Sequence, residues 1–318
     1  MSILFEDGKI QFSQYEARNG VTLLDLKEVN RLLPKRKRDS HKGTYGKAAI
    51  VAGSLEYTGA AYLSAAACLR SGVGYTSLFL PEEILPYYIL KLPEALLVPV
   101  CKGGRFVFEE RFEKLLSYDS IAYGMGMGVS KEVAIGAAYL LKKYEGKLLL
   151  DADGLNSLSV YKKSEFSELF KNKKCDVICT PHLKEFSRLT DFSVEEILKD
   201  SVSRAREFSE KYNVNLYLKN AVSLLCGKGK TTVIATGNSG QAKAGSGDVL
   251  SGLVAGLCAS GLSAFDGGAV GGYLVGKAAE LAAHEIGEYS LVATDLISRL
   301  GKAFLFVTEN ADEYGNEE

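Results

Sequence analysis

The chain has 318 residues, of which 47% are hydrophobic and 24% are charged, and its formal net charge is -1. This balance is typical of a globular protein with a large core, and it excludes a chain that is mostly disordered. A net charge close to zero gives no general attraction to nucleic acids or acidic membranes, so we expect neither as a partner. Six cysteines without paired metal-ligand spacing predict buried free thiols in a reducing compartment.

The ends of the chain differ from its middle. Residues 1–40 finish in a charged run and are predicted to form an N-terminal extension, which has acids where an export signal needs apolar residues. The cytoplasm is therefore the expected location. One α/β domain is expected over residues 41–306, since such folds often reach about 250 residues or more as a single unit. Residues 307–318 are acidic, lack an apolar face and are predicted to be a tail that frays.

From His41 onward, short apolar runs alternate with longer stretches of helical periodicity. Ala48–Ala52 predicts a buried parallel strand, and a helix of small residues is expected over Ala60–Ser71. Further strands are predicted at Tyr75–Leu80, Ser120–Tyr123, Lys147–Leu150, Asp176–Cys179 and Asn215–Leu218, with helices over Lys131–Tyr144 and Val194–Tyr212. This alternation predicts an α/β fold with a mostly parallel sheet covered on both faces.

The last third of the chain predicts a hairpin followed by helices. Val222–Leu225 and Thr231–Ile234 flank a glycine turn, and a pair of helices should follow the glycine-rich segment after them. The stretch Gly252–Ala283 is apolar, but Asp266 interrupts it, and Gly and Ala dominate it rather than Leu and Ile. Closely packed core helices explain this composition better than a membrane span does.

The segment Gly237–Gly252, GNSGQAKAGSGDVLSG, carries the strongest chemical signal. Gly245 and Gly247 let the backbone approach a ligand closely, and the helix that follows directs its unpaired amides at the loop. Gly245, Ser246 and Gly247 are therefore predicted to form an anion hole for a phosphoryl group in transfer. Asp248, where a helix N-terminus favours an ionised carboxylate, is the candidate base for a substrate hydroxyl. The same loop could instead be a structural cap.

Five other motifs accompany GSGD. They are HKGTYGKAAIVAG (41–53), YTGAAYLSAAACLRSGVGY (57–75), GMGMG (124–128), DADGLN (151–156) and TPHLKE (180–185). All six occur in the order in which they occur in NAD(P)H-hydrate dehydratases, and GSGD followed by VLSG resembles the GxGD signature of the ribokinase superfamily. The resemblance covers roughly His41–Lys302. It implies a ribokinase-like three-layer α/β/α sandwich with a mostly parallel central sheet.

The resemblance also implies an activity. Such an enzyme dehydrates the S epimer of hydrated NADH and NADPH back to NADH and NADPH, with Mg²⁺ and with ATP or ADP as phosphoryl donor. Asp248 would assist attack of the ring hydroxyl on the terminal phosphate, and phosphate would then leave. The residues implied at the nucleotide are Lys219, Asn220, Ala221, Val222, Ser223 and Gly247. Those implied at the hydrated cofactor are Ala60, Gly126, Gly128, His182 and Asp248. Glu185 matches an acidic position that organises magnesium through water.

Two departures from the family pattern are visible. Leu183 and Lys184 replace the Pro-Gly of TPHPGE, which alters the loop carrying His182 and puts affinity in doubt more than reaction type. Asn220 replaces the glycine after the lysine, a mild change because Asn tolerates unusual backbone angles better than most residues.

Several of these residues also have plain structural explanations. His182 could be a satisfied structural histidine, Lys219 a solvated side chain, and residues 124–128 a tight turn alone. Asp151 and Asp153 follow a predicted strand, and paired carboxylates suit acid–base or magnesium chemistry, but Asp151 could simply shape its loop.

Two other functions remain open. One is a ribokinase-like kinase of a small alcohol of the thiazole, pyridoxal or hydroxymethylpyrimidine type, and the other is a nucleotide-binding regulator without turnover. The family often carries a fused epimerase domain, for which the roughly 40 residues before His41 are too few, so a separate epimerase is the expected partner. The Gly- and Ala-rich C-terminal helices and the habit of the family predict a homo-oligomer, with a tetramer as one form.

Overall fold

A ten-stranded sheet organises the computed structural model of this chain. The structure describes residues 5–6, 9–10, 20–101, 103, 106 and 110–310. Two short strands, β1 (Phe5–Glu6) and β2 (Lys9–Ile10), form an antiparallel pair of their own. The strands of the large sheet are β3 (Thr22–Leu23), β4 (Lys47–Val51), β5 (Tyr75–Pro81), β6 (Leu96–Cys101), β7 (Ser120–Tyr123), β8 (Lys147–Leu150), β9 (Asp176–Cys179), β10 (Asn215–Leu218), β11 (Ser223–Gly227) and β12 (Lys230–Ile234).

The sheet is almost entirely parallel. Its order is β3-β12-β11-β10-β9-β8-β7-β4-β5-β6. Within the described strands only β11 runs against the others, because it is antiparallel to both β10 and β12. The strands are continuous apolar runs because helices cover both faces of a parallel sheet.

Helices cover the sheet on both faces. In the described residues they are α1 (Leu26–Leu32), α2 (Thr58–Leu69), α3 (Lys131–Lys143), α4 (Ala152–Ser157), α5 (Lys163–Lys171), α6 (Leu183–Leu189), α7 (Val194–Lys199), α8 (Ser201–Tyr212), α9 (Ser246–Ala259), α10 (Ala264–Ile286) and α11 (Ala293–Asn310). Short 3₁₀ helices span Lys42–Tyr45, Glu82–Tyr87, Glu110–Ser117, Leu158–Val160 and Ser239–Gln241.

Two hydrophobic cores lie on opposite sides of the sheet. Ala48 and Ile50 of β4 belong to the core that contains α2, α9, α10 and α11. Ala49 and Val51 of the same strand belong to the core that contains α3, α5, α6 and α8. Successive side chains of a strand point to opposite faces, so one strand supplies both layers. The predicted three-layer α/β/α sandwich is therefore confirmed.

Small residues set the close packing of the helices on the first face. An added Cβ at Gly252 of α9 would lie 1.9 Å from the carbonyl oxygen of Ser64 in α2, and one at Gly256 would lie 1.9 Å from Ser71 Oγ. The two helices are thus in backbone contact, and α9 is held firmly at the centre of the layer. The apolar Gly252–Ala283 stretch lies in α9 and α10 of the core, and no helix of the described residues has the length and apolarity needed to cross a bilayer.

Three predictions differ from the structure by more than one or two residues at the end of an element. The helix predicted over Val194–Tyr212 is interrupted at Asp200, whose backbone leaves the helical region at φ -149° and ψ 57°. Three helices, not two, follow the glycine-rich segment, because α11 continues the layer. α11 runs to Asn310 with Val307 fully buried, so the start of the predicted tail is helical. Residues 311–318 lie outside the described residues.

Part of the predicted N-terminal extension belongs to the sandwich. Thr22 and Leu23 pair in parallel with β12, and Val29 of α1 is fully buried in the first core. The domain bounds at 41 and 306 themselves stay a prediction. The five cysteines whose side chains are described, Cys68, Cys175, Cys179, Cys226 and Cys258, are buried free thiols, as predicted.

Candidate functional site

The candidate site lies where the parallel strands end. Backbone hydrogen bonds continue beyond the strands: Asp151 N donates to Tyr123 O at 3.1 Å, and Lys219 N donates to Pro181 O at 2.9 Å. A bridge between His182 and Lys219 extends the β9–β10 pairing by one step. In open α/β sheets ligands bind outside the carboxyl ends of the strands. The predicted residues after β7, β8, β9 and β10 thus share one edge.

The N-terminus of α9 faces this edge. Gly245 precedes the helix with φ +98°, a conformation that favours glycine, and no side chain caps the first turn. An added Cβ at Gly245 would lie 2.6 Å from Leu63 Cδ1, so the loop passes tightly over α2. The buried Ser246 Oγ has no hydrogen-bond partner among the described residues. An uncapped helix start with a free hydroxyl beside it is the geometry that the anion-hole prediction requires.

Asp248 lies in the first turn of α9. Among the described residues no group donates a hydrogen bond to its carboxylate or pairs with it. The pKa of Asp248 is raised to about 7, first by burial and then by the carboxylate of Asp151, while the Lys219 ammonium opposes the rise. The net pKa is raised although a helix N-terminus favours the ionised form, because burial and like charge dominate at this position. A carboxyl group with a pKa near neutrality is suited to act as a base.

A buried ion pair adjoins this turn. Lys219 Nζ lies 2.7 Å from Asp151 Oδ1, and Ser251 Oγ donates to Asp151 Oδ2 at 2.7 Å. Burial alone would lower the pKa of Lys219, but the negative charges of Asp151 and Glu185 outweigh it and the pKa is raised. Lys219 is therefore a fixed cation, not a solvated side chain. An added Cβ at Gly247 would lie 3.2 Å from its ammonium nitrogen, so the charge sits against the anion hole.

The rest of the predicted nucleotide segment forms the turn between β10 and β11. Asn220 and Ala221 are exposed, and Asn220 Oδ1 accepts a hydrogen bond from Ala221 N. The side chain of Val222 is buried in the second core, which leaves only its backbone for a ligand, while Ser223 is half-buried. Asn220 has a negative φ, so its replacement of glycine needs no unusual backbone angle.

The GMGMG loop joins the edge to the start of α2. Gly126 adopts φ +63°, and an added Cβ there would lie 2.7 Å from the Cβ of Ala60. The two predicted substrate-binding residues are thus adjacent. Gly128 N donates to Asp153 Oδ2 at 2.9 Å, which assigns Asp153 to holding this loop. Burial raises the pKa of Asp153, and this bond opposes the rise.

His182 has a structural role, which was one of the two interpretations open from the sequence. Its Nδ1 accepts hydrogen bonds from Lys184 N at 3.1 Å and Glu185 N at 3.2 Å, so it caps α6. Burial lowers the pKa of His182, against the attraction of Glu185. The ring is therefore neutral at pH 7, with Nδ1 as acceptor and Nε2 as donor. Half of the side chain remains exposed, so the ring is still accessible to a ligand.

Glu185 is the residue predicted to organise magnesium. Its Oε2 accepts from His182 N at 2.9 Å and its Oε1 lies 3.4 Å from His182 Nε2, and it is 95% buried. Among the described residues no group of three or more His, Cys, Asp or Glu side chains is arranged to hold a metal. Magnesium commonly binds through one or two carboxylates, water and substrate phosphates, so this sparse donor set fits an ion that arrives with a nucleotide.

One site residue was missed by the sequence analysis. Ser251 is fully buried and bonds Asp151 from α9, one helical turn beyond Asp248. Its spacing of three residues from Asp248 places both on one face of α9, which is the signal that would have indicated it.

With this geometry established, comparison with known proteins identifies the family. The protein-family model for NAD(P)H-hydrate dehydratase matches residues 48–302 of this chain. The chain belongs to the NAD(P)H-hydrate dehydratase family. It is 34% identical over 284 residues to a bifunctional NAD(P)H-hydrate repair enzyme of Thermofilum pendens, and 31% over 289 residues to one of Dictyoglomus turgidum. These alignments cover 87% and 89% of this chain but 53% and 55% of the relatives, so the chain spans about half of their length.

Solved structures agree with this family. The ADP/ATP-dependent NAD(P)H-hydrate dehydratase of Bacillus subtilis, co-crystallised with ATP and Mg²⁺, is 29% identical with a TM-score of 0.78, covering 90% of this chain and 99% of that one. A ribokinase-like superfamily protein of Enterococcus faecalis is 22% identical with a TM-score of 0.78, over 96% and 100%. A hydroxyethylthiazole kinase protein of Pyrococcus horikoshii is 14% identical with a TM-score of 0.56, over 91% and 95%. The last two show the ribokinase-like fold alone.

Proposed function

We propose that this protein dehydrates hydrated NADH and NADPH back to NADH and NADPH, using ATP or ADP as phosphoryl donor. The observation that carries the proposal is the uncommitted carboxylate of Asp248, whose pKa is raised to about 7 by burial, in the first turn of an uncapped helix. A base and an anion hole in one turn suit the phosphorylation of a hydroxyl group. Membership of the dehydratase family supports the hydrated dinucleotide as the carrier of that hydroxyl.

Each residue has a stated task in this proposal. Asp248 accepts the proton of the ring hydroxyl while the hydroxyl oxygen forms a bond to the terminal phosphorus of the nucleotide. The bond between that phosphorus and the rest of the nucleotide breaks at the same time. The amides of Gly245–Gly247 and the Lys219 ammonium stabilise the charge that develops on the phosphoryl oxygens. The ring then loses phosphate and a proton from the neighbouring carbon, which restores the double bond. Phosphate is a far better leaving group than hydroxide.

The two ligands are assigned to different groups of residues. We assign the nucleotide to Gly247 and the turn Lys219–Ser223, in which Asn220 and Ala221 are exposed and Val222 offers only its backbone. We assign the hydrated cofactor to Ala60, the loop 124–128 and the exposed Nε2 side of His182. Bound Mg²⁺ would neutralise phosphate charge, and we assign to Glu185 the orientation of its water ligands.

The kinase alternative predicts a different product. Purified protein is incubated with Mg²⁺, hydrated NADH and either ATP or ADP, and both phosphate release and the recovery of reduced-nicotinamide absorbance are followed. A dehydratase releases phosphate in step with NADH. Accumulation of a stable phosphorylated alcohol, from a thiazole, pyridoxal or hydroxymethylpyrimidine substrate, would establish the kinase instead, and nucleotide binding without any turnover would establish a regulator. Pure S and R epimers offered separately test the S specificity.

The biological setting is also a proposal. We infer a cytoplasmic homo-oligomer that receives the S epimer from a separate epimerase. The buried free thiols support a reducing compartment, and the exposed apolar side chains of Tyr87, Ile89 and Leu90 support a contact between copies. Light scattering of the purified chain tests the oligomer, and faster repair of mixed epimers on addition of an epimerase tests the partner.

A further inference from the structure

Asp151 occupies a capping position without capping. It is the N-cap residue of α4, with extended backbone angles, yet its carboxylate accepts no hydrogen bond from the first turn of that helix. An aspartate at this position usually satisfies one of the helix amides. Here the carboxylate is directed instead at Lys219, which follows β10, and at Ser251 in α9. The side chain therefore joins two other elements across the site and gives up its local bond.

The backbone next to Asp151 is strained. Ala152 adopts φ +46°, the left-handed region that costs an alanine roughly 1 kcal/mol or more. Contacts on Asp151 hold the conformation: Gly154 N donates to Asp151 O at 2.9 Å, and an added Cβ on Gly124 would lie 2.1 Å from the same oxygen. Strain of this kind persists only where the surroundings enforce it. The enforced geometry places the Asp151 carboxylate between β10 and α9.

The carboxylate of Asp151 is needed to keep the Lys219 ammonium in its position. Its ammonium lies against Gly247, at the N-terminus of α9, where the helix dipole is positive and repels a cation. The side chain is only 20% exposed, so water does not compensate for that repulsion. Both oxygens of Asp151 are engaged, one by Lys219 and one by Ser251, and the carboxylate is itself 98% buried. The pair is thus a rigid cation beside the anion hole.

We propose that Asp151 is a positioning residue for phosphoryl transfer: anchored by Ser251, it holds the Lys219 ammonium beside Gly247, where the transferred phosphoryl group is bound. The inference rests on the proposed function, because the phosphoryl group belongs to that reaction. Asp151 touches neither substrate nor nucleotide in this assignment and acts through Lys219. A preorganised cation costs no rearrangement when charge develops on the phosphoryl oxygens.

The same carboxylate acts on the base. The charged groups near Asp248 are Asp151, Asp153 and Glu185, which raise its pKa, and Lys219, which lowers it. Replacing Asp151 by Asn removes one negative neighbour, so the pKa of Asp248 should fall. Replacing Lys219 by Met removes the positive neighbour that lowers the pKa, so the pKa should rise. Removing a charged residue that stabilised the fold from outside the site would move neither value.

Two readouts test the proposal in full-length protein. The first is the titration of the Asp248 carboxyl by ¹³C NMR, assigned by its loss in Asp248→Asn, and it needs no turnover. The second is the pH profile of kcat for hydrated NADH. In Asp151→Asn we expect the titration and the acid limb of the profile to move to lower pH, with kcat reduced about 100-fold, as for a misplaced catalytic group. In Lys219→Met both should move to higher pH.

Ser251→Ala is the matched control, because it keeps the charge of Asp151 and removes only its anchor. We expect a smaller loss of kcat than in Asp151→Asn and an unmoved acid limb. In a folded Asp151→Asn variant, an unchanged Asp248 titration or an undiminished kcat would overturn the proposal. If Asp151→Asn does not fold, an unchanged titration of the Asp248 carboxyl in Lys219→Met would overturn the proposal. Shifted titrations in a protein that turns over no hydrated NADH would refute the proposed function and leave the electrostatic network standing.

Discussion

The two edges of the sheet carry the same local structure and different chemistry. His41, before β4, and His182, after β9, are both cap residues whose Nδ1 accepts a backbone amide. In both turns the third residue, Thr44 or Glu185, bonds back to the backbone of the histidine. Local sequence therefore builds the same motif twice, and neither motif by itself indicates a site.

The edges differ in what is left unsatisfied. At the amino edge Arg36 donates to Gly72 O at 2.8 Å, Tyr45 donates to Ser40 Oγ at 2.8 Å, and the Asp119 carboxylate accepts from Lys47 N at 2.7 Å. At the carboxyl edge the described residues offer Asp248 no hydrogen bond and leave Ser246 Oγ without a partner. Native structures rarely leave such groups unpaired, so two of them together at the carboxyl edge support a ligand site there.

Blocking the anion hole at the carboxyl edge should cause the largest loss of function. Gly247→Val would place its side chain against Lys219 Nζ, where phosphate oxygen is expected, and we expect nucleotide binding to weaken and turnover to fall at least about 1,000-fold. Nucleotide affinity by calorimetry and turnover on one preparation measure this. Gly301→Val is the matched control in α11, where an added Cβ meets nothing within 4 Å. Near-normal activity of Gly247→Val would remove the anion-hole assignment.

Removing the base should have the next largest effect. Asp248→Asn keeps size, and we expect it to fold, bind nucleotide and turn over hydrated NADH at least about 100-fold more slowly. Because the raised pKa of Asp248 means that the folded state holds a proton the unfolded state has lost, unfolding free energy should fall as pH rises from about 4 to 7. The variant lacks that loss. It should therefore gain stability relative to wild type across this window in denaturant titrations.

Asp266→Asn is the control for this experiment. Asp266 also lies in the first turn of a helix, but its carboxylate accepts a hydrogen bond at 2.7 Å from the Oγ of Ser263, the residue that caps that helix, so its role is structural. We expect its replacement to cost about 1 kcal/mol or less with turnover unchanged. If Asp248→Asn behaves like Asp266→Asn, with turnover within a few-fold of wild type, Asp248 is not the base and the mechanism is wrong.

Features that depend on interactions between residues close in sequence were predicted, whereas those that depend on residues far apart in sequence were not. The bounds predicted for β7, β8, β9 and β10 agree with the structure, because a strand buried on both faces is a continuous apolar run between polar or glycine residues. β3 was not predicted. Its two residues, Thr22 and Leu23, have no strand pattern, and their partners in β12 lie about 210 residues away, so only tertiary packing decides the pairing.

The candidate site shows the same division. Strand ends and the GSGD loop were predictable, since parallel strands bring their carboxyl ends to one edge. The partners of individual side chains were not: Asp151 was expected to serve acid–base, magnesium or loop-shaping roles, whereas it pairs with Lys219, 68 residues away. The pKa of Asp248 depends on burial and on charges from three other elements, none of which its neighbours in sequence reveal.

Comparing the two histidines directly gives a smaller and more selective effect. His182→Ala should raise the apparent Michaelis constant for the hydrated cofactor more than the apparent Michaelis constant for ATP or ADP. The same change should lower the free energy of unfolding by about 1 kcal/mol through loss of the α6 cap. His41→Ala should lower stability through loss of its own cap with both constants unchanged. Steady-state kinetics with each ligand varied in turn measure this. An equal change for both ligands in His182→Ala would mean that the loop as a whole is disturbed.

The smallest effect is expected at Arg36, which belongs to the basic run of residues 35–38 near the amino edge. Arg36 lies 3.9 Å over the ring of Tyr45 and reaches Gly72 O, the backbone just beyond the end of α2, where a cation is favoured by the helix dipole. Arg36 is exposed, so its interactions are weakened by water and salt, and Arg36→Ala should cost no more than about 1 kcal/mol. Turnover and both apparent constants should match wild type.

Salt dependence distinguishes this role from ligand binding. If Arg36 acts only on Tyr45 and the end of α2, the stability difference between Arg36→Ala and wild type should shrink as salt rises, since exposed charge interactions are screened. Denaturant titrations at low and high salt measure that difference. A loss of nucleotide affinity in Arg36→Ala, greater at low salt, would instead mean that the amino edge attracts the anionic ligands. Function would then no longer be confined to the edge whose groups are unpaired.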